Sequence, residues 1–134
     1  MMEYLLGFAV ASLVSVLATL VGFDKERGFY AVVLIVIASY YVLFAVMGAS
    51  ASTLATELLA LAVFAFVAII GFKRSPWIVV AGLAGHAVFD FLHPHFVVNA
   101  GVPDWWPGFC LAYDLTAASY LAWLLKNRGA NHAA

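Results

Sequence analysis

Five ionisable side chains stand inside the long apolar stretches of this 134-residue sequence: Glu57, His86, Asp90, His93 and Asp114. Imidazole nitrogens and carboxylate oxygens are ligands that zinc and ferrous iron use in proteins. His86, Asp90 and His93 follow the spacing i, i+4, i+7, which places them on one stripe of a helix. This stripe predicts a divalent metal site, for zinc or iron, whose ligands are His86, Asp90 and His93.

Such a metal site would favour hydrolytic chemistry. A metal with three protein ligands keeps a position for water and lowers the pKa of that water to about 7. A carboxylate from another helix can then act as general base, and we assign this catalytic role to Glu57 and Asp114. The alternative is structural. Buried acids and imidazoles can simply satisfy one another, since hydrogen bonds between membrane helices contribute roughly 0.6–2 kcal/mol each.

Composition indicates that the solvent around these residues is lipid. Hydrophobic residues make up 66% of the chain and charged residues 10%, whereas a soluble domain carries about 25% charged residues. The formal net charge of −1 gives no basic surface for nucleic acid. The single cysteine, Cys110, excludes an internal disulfide and a dithiol redox centre.

Five apolar runs are long enough to span the bilayer, since a helix of about 20 residues crosses roughly 30 Å of hydrocarbon. Pro94 is expected to end the fourth, because the residue before a proline avoids helical angles. Residues 126–134 form a short polar tail. The predicted fold is an all-α bundle in a single transmembrane domain covering 1–134. Its spans are about 4–23, 29–47, 53–72, 77–93 and 106–125.

The cations predict the orientation of this bundle. With five spans, every Lys and Arg falls in the first loop, the third loop or the C-terminal tail, which share one side of the membrane. An excess of Lys and Arg marks the cytoplasmic side, so we predict that the N-terminus lies outside and the C-terminus in the cytoplasm. The six cations are Lys25, Arg27, Lys73, Arg74, Lys126 and Arg128.

This topology places all five ionisable side chains in the outer leaflet. At 1.5 Å per residue, Glu57 and His93 lie near the outer surface, while Asp90 and Asp114 lie deeper and level with each other. Tyr41 of the second span reaches a similar depth, where we interpret it as a helix contact or an anchor. Small residues predict the packing faces of two helices. These residues are Gly7, Ala11, Ser15 and Ala18 in the first span, and Ala81, Gly82 and Gly85 in the fourth.

Three segments resemble a family of small bacterial multi-pass membrane proteins that has no assigned function. They are residues 37–48 (IASYYVLFAVMG), 85–90 (GHAVFD) and 101–107 (GVPDWWP). This resemblance covers nearly the whole chain and implies a bacterial inner (plasma) membrane, but no activity. In the kinds of residue, the chain also resembles the intramembrane hydrolases of the alkaline ceramidase and adiponectin receptor group. Those proteins hold zinc with histidines inside seven helices, whereas this chain has five spans and no HxxxH pair in the last one.

The sequence is compatible with three functions. The favoured one is a metal-dependent hydrolase that acts on a lipid or another apolar substrate within the bilayer. The first alternative is a protein that binds, transports or senses protons or divalent cations. For transport, a homo-oligomer would have to supply the missing pathway, because the inner half of a single chain offers no ionisable relay. The second alternative is a non-catalytic partner subunit of another membrane protein, with a purely structural polar cluster.

Overall fold

Five long helices make up most of the computed structural model, which describes residues 1–133. They are α1 (Met2–Val21), α2 (Gly28–Gly48), α3 (Ala51–Lys73), α4 (Pro76–Phe96) and α5 (Trp106–Ala133). Each helix is long and apolar enough to cross a membrane, and residues 1–133 contain no strand. The prediction of an all-α fold with five helices of membrane-spanning length is therefore confirmed.

Local sequence signals set the helix ends. Helix α1 stops at Gly22, whose φ of 92° lies in the left-handed region that glycine adopts without strain. The Ser50 hydroxyl accepts a hydrogen bond from the Thr53 N–H at 3.2 Å. The Ser75 hydroxyl accepts one from the Trp77 N–H at 3.3 Å. Each serine thus satisfies a free N–H group at the start of the next helix.

Helices α4 and α5 extend three and eight residues beyond their predicted ends at residues 93 and 125. Pro94 lies inside α4 and does not end it, contrary to the prediction. Its missing N–H removes one helical bond, to the Asp90 carbonyl, while the Val97 N–H still donates to the His93 carbonyl at 2.9 Å. Helix α5 continues to Ala133, through most of the segment predicted as a polar tail. The predicted domain also included residue 134, which lies outside the described residues.

Helix α4 occupies the centre of the bundle. It packs against α2, α3 and α5, whereas α1 packs against α5. The buried side chains of α4 recur every three or four residues, so that one face of the helix turns inward. They are Val79, Gly82, Leu83, His86, Ala87, Asp90 and His93. The predicted stripe of ionisable residues therefore lies on the buried face of the central helix.

Small residues let α1 approach α5 closely. The buried residues of α1 are the four predicted from the sequence: Gly7, Ala11, Ser15 and Ala18. A Cβ atom on Gly7 would overlap the Phe109 carbonyl of α5. In a membrane, where lipid is as apolar as the helix surface, such close packing is what holds helices together. The packing face predicted for α1 is confirmed.

The predicted small-residue face of α4 is only partly correct. Gly82 is buried, and a Cβ there would lie 2.6 Å from a Leu34 methyl group. Ala81 and Gly85 are exposed, and Gly85 has nothing within 4 Å of its added Cβ. The two residues lie on the outer side of α4, the strip of its surface that α2, α3 and α5 leave uncovered.

The bundle has an apolar outer surface and buries a group of polar side chains within its core. Large apolar side chains cover its surface; Leu20 is 77% exposed and Phe66 is 66% exposed. Among the residues whose burial the structure describes, eight polar or charged ones are buried: Ser15, Asp24, Glu57, His86, Asp90, His93, Asn99 and Asp114. In water this arrangement would be unfavourable, because it exposes apolar side chains and buries charged ones. In lipid both features are expected. The chain is a multi-pass membrane protein.

A polar network joins the α1–α2 turn to the end of α5. The Asp24 side chain is fully buried, and Arg128 donates to its Oδ1 at 3.0 Å and to its backbone carbonyl at 2.8 Å. The Thr19 hydroxyl donates to Asp24 and also pairs with the Tyr120 hydroxyl at 2.8 Å. Asp24 stands in a charged run after a span, a context that predicts an exposed side chain and not a buried one.

We expect Arg128→Ala to lower the free energy of unfolding by about 1–3 kcal/mol, because it leaves the buried Asp24 carboxylate without its cation. The Arg128 side chain is 38% exposed, so water partly replaces it and keeps the loss within this range. Unfolding in mixed detergent micelles, followed by circular dichroism, measures the change. The control is Lys126→Ala, which removes an exposed cation from the same helix. Equal losses in the two variants would contradict a specific role for Arg128.

Candidate metal site

Three ionisable side chains meet at the centre of the bundle, and we call them the deep cluster: His86, Asp90 and Asp114. The His86 Nδ1 lies 2.6 Å from Asp114 Oδ2 and 3.3 Å from Asp90 Oδ2. All three side chains are fully buried. One ligand atom from each residue lies within 4.8 Å of the other two. A single cation could contact all three atoms.

Two helices build the deep cluster. His86 and Asp90 are one turn apart on the buried face of α4, as their i, i+4 spacing predicts. Asp114 comes from α5, which packs along α4. The ring of Phe64 on α3 packs edge-on against His86, with ring centroids 4.7 Å apart. The cluster is thus held between two packed helices and closed off by an aromatic side chain.

Tyr41 links the deep cluster to a second group nearer the end of α4. Its hydroxyl donates to Asp90 Oδ1 at 2.7 Å, and only 1% of the residue is exposed. Its ring stacks on the His93 ring with centroids 4.1 Å apart. The sequence placed Tyr41 at this depth but suggested only a helix contact or an anchor. The hydrogen bond to Asp90 gives it a more specific part, because it orients that carboxylate.

The second group is the outer pair, Glu57 and His93. His93 Nε2 lies 2.7 Å from Glu57 Oε1. The Asn99 side-chain amide donates to the same oxygen at 2.9 Å and to the Tyr41 carbonyl at 3.1 Å. Asn99 also accepts from the Gly101 N–H at 3.2 Å, a local turn contact typical of asparagine. Its spacing from Gly101 could have predicted that turn, but not the contact with Glu57 on another helix.

The structure therefore groups the five residues differently from the predicted sets. His86 and Asp90 are together as expected, but their third neighbour is Asp114, which the sequence suggested as a general base. His93, the third predicted ligand, lies with Glu57. The i, i+7 spacing separates His86 and His93 by about 10 Å along the axis, too far for one ion whose ligands lie roughly 2 Å from it.

Four buried side-chain atoms of these two groups have no hydrogen-bond partner among the described residues. They are Glu57 Oε2, His86 Nε2, Asp90 Oδ2 and Asp114 Oδ1. Leaving a buried polar atom unpaired costs about 1–3 kcal/mol, and more when the group is charged. Three of the four are carboxylate oxygens, which accept protons or bind cations. This excess of acceptors indicates that the site suits a cation.

A polar vestibule leads toward the outer pair from the α4–α5 loop. It has a volume of about 220 Å³, and its walls include His93, Pro94, Asn99 and Asp104. The outer pair is thus the part of the polar interior nearest to water at this end of the bundle. The deep cluster begins about one helical turn further in, at Asp90. A small cation entering here would meet His93 before it met Asp90.

The donor set of the deep cluster fits zinc or ferrous iron. One imidazole and two carboxylates are common ligands of both metals. With neutral His86, the two carboxylates would balance a divalent charge, which lowers the penalty for burying it. The hydrogen bond from Tyr41 resembles the supporting contacts that orient metal-binding carboxylates. The residues present therefore fit such an ion.

Comparison with known proteins adds no assignment. The chain matches no protein-family model, no curated protein and no solved structure. The resemblances to a small bacterial membrane protein family and to the ceramidase-type hydrolases stay predictions. Any functional assignment must therefore come from the chemistry of the deep cluster, the outer pair and their surroundings.

Proposed function

We propose that this protein binds one zinc or ferrous ion in the deep cluster and uses it to hydrolyse a lipid or another apolar substrate. The observation that carries the proposal is the meeting of one imidazole nitrogen and two carboxylate oxygens within 4.8 Å in a fully buried site. Asp114 takes the ligand position that the sequence suggested for His93. The bound ion would supply a Lewis acid and an acidified water molecule.

Glu57 is the general base in this proposal. His93 and Asn99, which both line the vestibule, hold its Oε1, so the carboxylate lies behind the vestibule wall. Its other oxygen has no partner among the described residues and is free to accept a proton. His93 faces the vestibule and can pass that proton outward, as histidines do near neutral pH. In this proposal the deep cluster binds the ion, and the outer pair accepts and transfers the proton.

The core beyond the deep cluster favours binding over transport. Along α4, away from the vestibule, the next buried side chains after His86 are Leu83 and Val79. Leu34 of α2 packs in the same layer, and neither it nor Leu83 is exposed at all. Carriers need a path to both sides of the membrane, and an apolar layer interrupts such a path. If the ion enters from the vestibule and acts in the deep cluster, it needs no path through this apolar layer.

Metal analysis of the purified protein is the direct test. We expect detergent-purified chain, dialysed against excess zinc or ferrous salt and then desalted, to retain one ion per chain. Hydrolysis of ester and amide lipids in mixed micelles should depend on that ion and stop after chelation. Less than 0.1 ion per chain with both metals would refute the site. Full loading without hydrolysis of either lipid class would leave ion binding but reject the enzyme.

The proposal includes the membrane and the orientation: an inner membrane, with the N-terminus outside and the C-terminus in the cytoplasm. The even sharing of cations between the first loop, third loop and tail supports it. The vestibule and the site then face the periplasm. A substrate would reach them from the outer leaflet.

Thiol labelling of the full chain tests this orientation. In a Cys110→Ser background, we expect Ser52→Cys and Asp104→Cys to react with a membrane-impermeant maleimide in intact cells. Lys25→Cys and Lys73→Cys should react only after lysis. All four positions are exposed, so accessibility depends on the side of the membrane. The reverse labelling pattern would invert the proposed topology.

A further inference from the structure

An apolar groove separates α1 from α2, with α5 as its floor. Its volume is about 400 Å³, and its walls are almost wholly aliphatic and aromatic. Along α2 it runs from Phe29 to Tyr40, a length of about 16 Å at 1.5 Å per residue. The groove exists because α1 packs on α5 and not along α2.

The groove opens toward lipid. Val32 and Val36, which line it, are 57% and 46% exposed, and Val10 on the facing helix is 38% exposed. Both flanking helices are of membrane-spanning length, so hydrocarbon chains surround the opening. A long, narrow apolar space parallel to the helices has the shape of one extended acyl chain.

A hydrogen-bond donor marks one end of the groove. Trp106 lines it at the end nearest the vestibule, and its indole nitrogen is buried without a partner among the described residues. The rings of Tyr40 and Phe44 pack against this indole, each with centroids 5.0 Å away. Buried indole N–H groups normally find an acceptor. An acceptor at the end of an acyl chain is its ester or amide carbonyl.

We propose that the groove binds a single acyl chain of an ester or amide lipid. The tail extends toward Phe29, and the carbonyl accepts a hydrogen bond from Trp106. The floor includes Cys110, one helical turn before Asp114, so the lipid lies against the helix that supplies a ligand of the deep cluster. That this lipid is the substrate rests on the proposed function, whereas the binding itself does not.

Photo-crosslinking tests where the acyl chain of the lipid binds. The probe is phosphatidylglycerol with a diazirine on one acyl tail, reconstituted at low mole fraction with the full protein. We expect labelled peptides to come mainly from α2 and α5 positions that line the groove. Val36→Trp should fill the groove and cut this labelling at least fivefold. Val63→Trp is the matched control, a lipid-exposed valine on α3 outside the groove. Val32→Trp replaces the first variant if that one does not fold.

A carbonyl test addresses Trp106. We expect the wild type to retain ester phospholipid over its ether analogue by roughly three- to tenfold in native mass spectrometry, as one hydrogen bond implies. Trp106→Phe should abolish this preference, and the neighbouring Trp105→Phe should keep it. Labelling spread evenly over all lipid-facing helices, or an ester preference that survives in Trp106→Phe, would overturn the proposal.

The proposed lipid site and the proposed metal site can be refuted independently of each other. Crosslinking is repeated with His86→Ala protein, in which the deep cluster is broken and the groove is intact. Groove labelling that persists there without metal binding supports the lipid site independently. Zinc binding in the wild type without groove labelling would refute the lipid site and leave the proposed metal site standing.

Discussion

We expect His86→Ala to abolish zinc binding and His93→Ala to retain it. His86 supplies the only nitrogen of the deep cluster, whereas His93 lies with Glu57. Loss of a supporting residue already weakens metal sites 10–100-fold, so loss of a ligand should weaken binding by more than about 100-fold. Asp114→Asn should resemble His86→Ala, because an amide oxygen lacks the carboxylate charge.

Titration of zinc into the detergent-purified variants distinguishes the two possible ligand sets. Circular dichroism first confirms that each variant keeps its helices. If His93→Ala loses zinc as fully as His86→Ala and Asp114→Asn does not, the ligands are the set that the sequence alone suggested. If all three variants bind zinc as the wild type does, the deep cluster is not a metal site.

The same substitution at two glycines should have opposite effects. We expect Gly7→Leu to destabilise the bundle by about 3 kcal/mol or more, because even its Cβ would overlap the Phe109 carbonyl. Gly85→Leu should be neutral or slightly stabilising. Its added Cβ meets no atom within 4 Å, and leucine favours a helix by nearly 1 kcal/mol over glycine.

Thermal unfolding in the same detergent measures both glycine variants. Gly7→Leu should also expose α1 to proteolysis, because α5 is the helix against which α1 packs. A Gly85→Leu loss as large as that of Gly7→Leu would mean that another molecule, such as a second copy of the chain, covers the outer side of α4. Equal tolerance of both changes would contradict the close α1–α5 contact.

The helices and the buried stripe of α4 could be predicted because they depend on local pattern. Hydropathy marks each span, and the i, i+4 spacing puts His86 and Asp90 on one face whatever the neighbouring helix is. The α1 packing face was predictable for a similar reason, since its small residues recur once per turn. Gly85 was wrongly assigned to the packing face of α4, because a small residue is compatible with either a close helix contact or an exposed surface.

Contacts between helices could not be read from the chain. Depth placed Asp114 level with Asp90, but depth alone does not say which way a side chain on α5 turns. The choice between Asp114 and His93 as third neighbour of His86 depends on how α4 and α5 are rotated against each other. Asn99 was missed because loop residues have no periodicity. Nothing local reveals that its amide reaches Glu57 on α3.

The contact between His86 and Asp114 also bears on how the chain enters the membrane during synthesis. Helices α4 and α5 are the least apolar of the five spans, and a charged residue at a helix centre opposes insertion by roughly 2.5–3.5 kcal/mol. Helix α4 carries His86 and Asp90, whose partner Asp114 emerges from the ribosome later. The two helices should therefore integrate as a hairpin, and a nascent chain cut off after Phe96 should leave α4 outside the bilayer.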